Sequence, residues 1–141
     1  MSPDSRASSA PAGYSGTPLP QKLGIKASHV LFLDGQPPGL DLGDLPDATV
    51  VRRLPRSMDV TLTWHTSLAS LSKRLPVLFE RTSTAGMVWV CWPKKASKVP
   101  SDLNDNVVRL LGLELGFVDV KIAAIDATWS GMKFVRRLRD R

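Results

Sequence analysis

A few polar side chains of this chain could take part in chemistry, and each follows an apolar run of sequence. His65 could act as a general base, because imidazole titrates near neutral pH. Lys94 and Lys95 could hold a phosphate as point charges, and Trp129 could stack on an aromatic ring. Each has a structural alternative. A lone histidine is more often structural, a lysine pair can be a solvated loop, and a hairpin tryptophan more often packs on the sheet.

The residues do not indicate several other kinds of chemistry. The single cysteine, Cys91, excludes an internal disulfide framework and a multi-cysteine zinc site, and its apolar neighbours predict a buried, inert thiol. No Ser–His–Asp order, metal-ligand spacing or phosphate-loop motif is present. The four aspartates between residues 34 and 47 lack the spacing of a calcium loop, so the sequence predicts no metal site.

Charge is unevenly distributed along the 141 residues, which carry a formal net charge of +6. This balance favours phosphate-bearing partners only weakly, and a solvated surface with a basic tail is the simpler interpretation. The basic residues form three groups: Arg52, Arg53 and Arg56; Lys94, Lys95 and Lys98; and Lys133, Arg136, Arg137, Arg139 and Arg141. No apolar run approaches the roughly 20 residues that cross a bilayer, and the N-terminus has no secretory signal, so a cytoplasmic protein is expected.

The elements that must position these residues follow from apolar periodicity and capping signals. Residues 1–16 are rich in Ser, Pro, Ala and Gly and are predicted to be disordered, with a single domain over residues 17–141. The predicted strands are 28–33, 48–54, 58–65, 87–92, 117–125 and 132–138, with turns at 84–86 and 128–131. The predicted helices are a short one from Thr17 to Gly24, one over 67–80 that Pro76 kinks or splits, and one that Ser101 or Asp102 caps and Gly116 ends.

Strands that alternate with helices indicate an α/β protein. Continuous apolar runs suit central parallel strands, whereas the last two strands read as an antiparallel hairpin. The predicted fold is a three-layer Rossmann-like mixed sheet of about six strands, mostly parallel. Only eight residues, Leu40 to Asp47, separate Gly39 from the second strand, so the first crossover helix is expected to be missing.

A candidate ligand edge follows from this fold, because ligands of open α/β sheets sit outside the carboxyl ends of the strands. Polar and aromatic residues that end or follow the first, third, fourth and fifth strands are expected to gather there. These residues are Asp34, His65, Trp92, Lys94, Lys95, Ser97, Asp126 and Trp129. The sequence assigns no catalytic role to any of them.

The order of the elements resembles that of a class I methyltransferase over roughly residues 22–138. The matching pieces are Leu23-Gly24-Ile25-Lys26, Met58-Asp59-Val60, Gly86 before MVWVCW, and Leu115-Gly116-Phe117-Val118 before the hairpin. Three further stretches, GYSGTPLPQKLGIK (13–26), WPKKAS (92–97) and TWSGMKFVRR (128–137), are similar to the bacterial domain-of-unknown-function family 3052, found largely in actinobacteria. This resemblance implies a small intracellular bacterial protein and brings no activity with it.

The stretch LFLDGQPPGL (31–40) occupies the position of a methyltransferase cofactor loop but lacks the required features. Gly35 and Gly39 are separated by two prolines, which remove two N–H donors. No helix N-terminus follows, and the second strand ends in Val51-Arg52-Arg53, without an acid for the ribose hydroxyls. We therefore expect neither S-adenosylmethionine nor NAD to bind in the usual mode, and no cofactor is predicted.

Three functions remain open on the sequence alone, and the sequence favours the first of them. The first is a non-catalytic binding or adaptor protein on a degenerate methyltransferase-like fold, with a protein partner or self-association. The second is binding, or minimal enzymatic processing, of a phosphorylated or anionic small molecule at the candidate edge, with Lys94 and Lys95 for charge, His65 for proton transfer and Trp92 or Trp129 for stacking. The third is nucleic-acid binding through the basic C-terminus, for which no reader motif is present.

Overall fold

A computed structural model describes residues 16–141, so the predicted disordered segment lies outside the described residues apart from Gly16. The described α-helices are α1 (Leu19–Lys22), α2 (Leu68–Arg81) and α3 (Asp105–Glu114). The described strands are β1 (Val30–Asp34), β2 (Thr49–Val51), β3 (Met58–Trp64), β4 (Thr82–Pro93), β5 (Phe117–Ala124) and β6 (Trp129–Arg136).

The strands form one sheet in the order β2-β1-β3-β4-β6-β5. β1 is parallel to β2 and β3, and β3 is parallel to β4, whereas β6 is antiparallel to both β4 and β5. The predicted mixed sheet with an antiparallel C-terminal pair is confirmed. Because the chain passes from β1 out to β2 and returns on the other side of β1 as β3, the topological switch point lies between β1 and β3.

Two helices, α2 and α3, cover one face of this sheet. Ser67 begins α2 by accepting a hydrogen bond from the backbone N–H of Ser70. Leu71, Leu75 and Leu78 follow at helical spacing and are fully buried. They join side chains of α3 and of the sheet in one apolar cluster, so burial of this leucine face holds α2 across the strands that it connects.

The opposite face is covered by α1 and by the irregular chain between β1 and β2. Leu23, Leu40 and Leu42 are buried there, and they join Leu31 and Trp89 of the sheet in a second apolar cluster. No helix lies between β1 and β2, both of which belong to the described chain, so the expected loss of the first crossover helix is confirmed. Leucines of the loop bury the sheet where that helix would otherwise lie.

The predicted turn at 84–86 is wrong, because these residues lie inside β4. The register between β3 and β4 shifts once near the start of β3, as at a β-bulge. Ser83 Oγ donates to Asp59 Oδ1 at 2.8 Å, and a Cβ on Gly86 would lie 2.7 Å from the Asp59 carbonyl oxygen. The small residues therefore let β4 pass close to Asp59 instead of leaving the sheet.

The predicted start of α3 is also wrong. Asn104 is the capping residue, and its Oδ1 accepts from the backbone N–H of Val107 at 2.9 Å. Ser101 and Asp102, the predicted caps, instead form hydrogen bonds to the segment that leads into α2. They connect the two helices at their N-terminal ends.

Three smaller corrections concern α1, α2 and β6. Pro18 rather than Thr17 occupies the N-cap position of α1. α2 is one helix across Pro76, which is exposed, so the predicted split does not occur. β6 begins at Trp129, earlier than predicted, because Asp126 Oδ1 accepts from the Trp129 backbone N–H at 2.8 Å and closes the hairpin turn before it.

The helices of the described part of the chain were compared with the requirements for crossing a membrane. None of its helices combines the length and the apolar character that crossing a bilayer requires.

Candidate functional site

An open crevice lies where β1 and β3 end, at the topological switch point. We call it the switch-point crevice. Its volume is about 630 Å³, and it is lined by Asp34, Gly35, Trp64, His65, Ser70, Lys73 and Arg74. β1 supplies the aspartate, β3 and the residue after it supply the tryptophan and histidine, and the first two turns of α2 supply the serine and both cations.

Asp34 and Arg74 form a two-point ion pair across the crevice. Arg74 Nε donates to Asp34 Oδ2 at 3.0 Å, and Arg74 Nη2 donates to Asp34 Oδ1 at 2.9 Å. The Asp34 hydrogen bond raises the pKa of Arg74 above its ordinary value. This geometry is the strong, fork-shaped form of the arginine–carboxylate pair, so two parallel hydrogen bonds fix the position of the carboxylate.

A chain of hydrogen bonds runs from Asp34 to Ser70. Thr63 Oγ1 donates to Asp34 Oδ2 at 2.7 Å and lies 2.7 Å from His65 Nε2, and His65 Nδ1 lies 2.8 Å from Ser70 Oγ. Because the threonine has one proton and gives it to the carboxylate, its oxygen must accept from an N–H at Nε2. In the neutral imidazole Nδ1 then carries no proton, and the hydroxyl of Ser70 donates to it.

His65 is held in this neutral form. It is 9% exposed, and burial lowers its pKa below the ordinary value. The charge of Asp34 raises that pKa and the charge of Arg74 lowers it. Because these two effects oppose each other, burial is the main cause of the lowered pKa of His65. At neutral pH the histidine is therefore an acceptor at Nδ1, which is the state of a general base.

Trp64 also lines the crevice and has a buried hydrogen-bond donor. The side chain is 8% exposed, and its Nε1 has no hydrogen-bond partner among the described residues. A buried donor without a partner costs about 1–3 kcal/mol, and native proteins pair most such groups.

A second cleft lies at the ends of β4 and β6, with a volume of about 710 Å³. Trp92, Lys94 and Lys95 line it, together with two aspartates, Asp102 and Asp105. The acidic wall opposes the lysines, which makes the cleft a mixed rather than a purely basic surface. No hydrogen-bond chain comparable to that of the switch-point crevice crosses it within the described residues.

The structure therefore divides the predicted ligand edge. Asp34 and His65 lie in the switch-point crevice, and Trp92, Lys94 and Lys95 lie in the second cleft. The remaining three predicted residues line neither of these cavities. Ser97 Oγ donates to the Lys94 carbonyl, Asp126 closes the β5–β6 turn, and Trp129 packs partly buried against the sheet face that α1 covers.

Sequence reasoning missed Thr63, Ser70, Lys73 and Arg74. One signal could have suggested two of them: Ser70 and Arg74 stand four residues apart at the start of a helix that follows His65 closely, so they share one helical face. No sequence signal joins that face to β1. The contact arises because α2 packs across the ends of β1 and β3.

The loop after β1 closes on itself beside the crevice. Gln36 Nε2 donates to the Leu40 carbonyl at 2.9 Å, and the backbone N–H of Leu40 donates to the Pro37 carbonyl at 3.2 Å. Arg52, just after β2, donates to Gln36 Oε1 at 3.3 Å. This side-chain packing leaves a shallow cavity of about 450 Å³, whose wall is formed by the loop and by an arginine.

Comparison with known proteins identifies the fold. No protein-family model matches the chain, and no curated protein sequence matches it. Magnesium protoporphyrin IX methyltransferase from Synechocystis PCC 6803 is similar in structure: with bound SAM the TM-score is 0.55 at 10% identity, over 84% of this chain and 74% of that one. The same enzyme with bound SAH gives 0.53 at 9% identity, over 83% and 78%. The fibrillarin pre-rRNA processing protein of Methanococcus jannaschii gives 0.52 at 9% identity, over 79% and 68%. The chain therefore has a methyltransferase-like α/β fold.

The residues at the cofactor position of this fold do not fit S-adenosylmethionine in the usual mode. Pro37 and Pro38 offer no N–H groups, and the Gln36 side chain is bonded to the loop itself. Arg52 stands where an acid would bind the ribose hydroxyls, and no helix N-terminus follows β1 within the described chain. We therefore derive no step that involves this cofactor.

Proposed function

We propose that this protein binds a small anionic molecule in the switch-point crevice, on a methyltransferase-like fold that does not use S-adenosylmethionine in the usual mode. The observation that carries the proposal is the hydrogen-bonded chain from Asp34 through Thr63 and His65 to Ser70, which lies beside two cations at the switch point. Open α/β sheets bind their ligands at this position. Among the candidate functions that the sequence left open, anion binding is the one that uses these residues.

Lys73 is the residue that favours an anion. The side chain lines the crevice, is exposed and makes no ion pair with any described residue, whereas the charge of Arg74 is balanced by Asp34. With His65 neutral, the crevice contains two cations, Lys73 and Arg74, and one carboxylate, Asp34. An anionic ligand can therefore pair with Lys73 without breaking the ion pair between Arg74 and Asp34. The exposed hydroxyl of Ser70 adds a hydrogen-bonding group.

The test is titration with inorganic pyrophosphate by isothermal calorimetry at constant ionic strength. Lys73→Ala should weaken binding about tenfold, the value of one charge-assisted hydrogen bond. Lys95→Ala, a lysine of the second cleft, is the matched control and should leave the affinity unchanged within about twofold. If Lys95→Ala weakens binding and Lys73→Ala does not, the anion site lies in the second cleft. If the natural chain does not bind pyrophosphate, the proposal is refuted.

A second candidate is the non-catalytic adaptor that the sequence predicts, acting here through self-association. Exposed leucines favour it: Leu110 is 66% exposed and Leu68 is 37% exposed on the walls of one groove between α2 and α3. Apolar surface of this kind is typical of protein contacts. Sedimentation equilibrium should then show a dimer that Leu110→Glu dissociates, and a chain that stays monomeric at every concentration would exclude this mode.

A further inference from the structure

Ser70 lies beside His65 in the folded chain, although the sequence contains no Ser–His–Asp order. The residue is exposed in the first turn of α2, and its Oγ lies 2.8 Å from His65 Nδ1. Its own backbone N–H donates to Ser67 Oγ at 3.1 Å, which fixes the start of the helix. A hydroxyl that donates to a bare imidazole nitrogen has a base in place to remove its proton.

The base is itself oriented. His65 Nε2 donates to Thr63 Oγ1, and Thr63 donates to Asp34. The ring therefore cannot rotate without losing its hydrogen bonds to Thr63 at 2.7 Å and to Ser70 at 2.8 Å. Arg74 holds Asp34 in turn. The order nucleophile, base, orienting group is that of nucleophilic hydrolases, with one threonine inserted between the histidine and the carboxylate.

We propose that Ser70 is a nucleophile and His65 its general base in the hydrolysis of a small anionic ester. The inference rests on the proposed anion-binding function and names the reaction at the same crevice. Lys73 stands three residues after Ser70 on α2, so both side chains lie on one face of the helix. A substrate whose anionic group contacts Lys73 would present its ester to Ser70 one helical turn away.

Each step of the reaction balances. Ser70 Oγ forms a bond to the ester carbonyl carbon while its proton passes to His65 Nδ1. The intermediate collapses, the bond from carbon to the alcohol oxygen breaks, and the leaving alcohol takes the proton from His65. The oxygen of a water molecule then forms a bond to the acyl carbon and gives one proton to His65 Nδ1. The bond from that carbon to Ser70 Oγ breaks, the acid leaves, and the proton returns from His65 to Ser70. One ester and one water become one acid and one alcohol.

The experiment uses the full chain and a fluorophosphonate probe. Attack by Ser70 Oγ forms a P–O bond, breaks the P–F bond and releases fluoride, and the added mass is read on the intact protein and located by peptide mapping. The expected adduct lies on Ser70, is absent in Ser70→Ala and is retained in Ser72→Ala. Ser72 is an exposed serine of the same helix that lines the groove between α2 and α3 instead.

A positioning role for Thr63 is tested by the labelling rate. Thr63→Val should slow labelling about a hundredfold, in the range expected for loss of an oriented base, whereas Thr61→Val on the same strand should not. The labelling rate should also decrease as the pH is lowered, because His65 then gains a proton and can no longer act as a base. The charged groups that face His65 in the crevice are Asp34, Arg74 and Lys73. A rate that is independent of pH, or equal in the two threonine variants, would refute His65 as the base.

The remaining outcomes separate the two proposals. An unlabelled chain, or an adduct on another serine, overturns the nucleophile even where pyrophosphate binds through Lys73. Labelling of Ser70 in a chain that does not bind pyrophosphate retains the nucleophile and overturns the anion site. When both proposals hold, pyrophosphate slows the labelling of Ser70, and Lys73→Ala removes this protection.

Discussion

At the residue scale, two buried threonines of β3 show how position decides the value of one hydroxyl. Thr61 and Thr63 are both fully buried and lie on the same face of the strand. Thr63 Oγ1 bridges Asp34 and His65, whereas Thr61 Oγ1 has no hydrogen-bond partner among the described residues. The same side chain is therefore an essential link at one position and an uncompensated buried polar group at the other.

The expected consequence is a difference between two isosteric variants. Thr63→Val should lower the free energy of unfolding by about 1–3 kcal/mol, because it leaves the Nε2–H of His65 unpaired and removes a donor from Asp34. Thr61→Val should be neutral or stabilising, since a methyl group replaces an unpaired hydroxyl. Urea denaturation measures both, and equal losses in the two variants would contradict the assignment of the hydrogen-bond chain.

His65 should also make stability depend on pH. Its pKa in the folded chain lies below the ordinary value of about 6.5, so the unfolded chain binds the proton more readily. Stability should therefore fall as the pH is lowered through about 6.5 and level off below the folded pKa. The fall of the urea midpoint with decreasing pH should be smaller in His65→Gln, and a fall as large as that of the natural chain would contradict this origin of the pH dependence.

At the element scale, α3 is fitted to the sheet by a glycine. A Cβ on Gly112 would lie 2.1 Å from a ring atom of Phe134, which is fully buried and cannot move aside without disturbing the core.

Two arginines of the basic C-terminus stabilise the ends of the helices. Arg136 and Arg137 donate to backbone carbonyls at the C-terminal ends of α2 and α3. Part of the basic C-terminus is therefore structural, and nucleic-acid binding through it stays a prediction.

The test of this fit is Gly112→Ala. Alanine is a better helix former than glycine by about 1 kcal/mol, yet overpacking against Phe134 should cost about 1–3 kcal/mol, so the variant should be less stable or close to neutral. Glu114→Ala, at an exposed position of the same helix, should be neutral or slightly stabilising because it removes an acid from the last turn. Thermal unfolding compares them, and a clear gain of stability in Gly112→Ala would contradict the close packing of α3.

At the scale of the whole molecule, the sheet is methyltransferase-like, and one of its faces is covered by α1 and by the loop after β1. The chain between β1 and β2 buries Leu40 and Leu42 against the strands and lacks the helix whose N-terminus would face a nucleotide. The polar residues at the switch point come from the ends of β1 and β3 and from α2, which lies on the other face of the sheet. This combination of residues is the basis of the anion-binding proposal.

This arrangement predicts the response of the intact protein to two ligands. A ligand present at a hundred times its Kd stabilises the folded state by about 2.7 kcal/mol, which raises the melting temperature by several degrees. S-adenosylmethionine at about 1 mM should leave the melting temperature unchanged within about 1 °C, whereas pyrophosphate should raise it. A clear shift with S-adenosylmethionine would contradict the account of the loop after β1.

Local pattern sufficed for much of the architecture. The apolar run of β1, the alternation of β3 and the leucine spacing of α2 each reflect burial of one face or of both, which a single segment encodes. The short, proline- and aspartate-rich connection after Gly39 likewise excluded a crossover helix before any contact was known. Element boundaries were harder to predict, because Ser101, Asp102 and Gly86 contact residues of other elements.

What the sequence by itself determined about this protein is the α/β class, the mostly parallel sheet with its terminal hairpin, and the presence of Asp34 and His65 at strand ends. Only the tertiary structure decided that these two residues form one site with Ser70 and Arg74, while Lys94 and Trp129 lie elsewhere. The physical reason is that strand and helix periodicity are properties of neighbours along the chain. A hydrogen bond between residues separated by 29 or 40 positions depends on how α2 packs across the sheet, which no local pattern records.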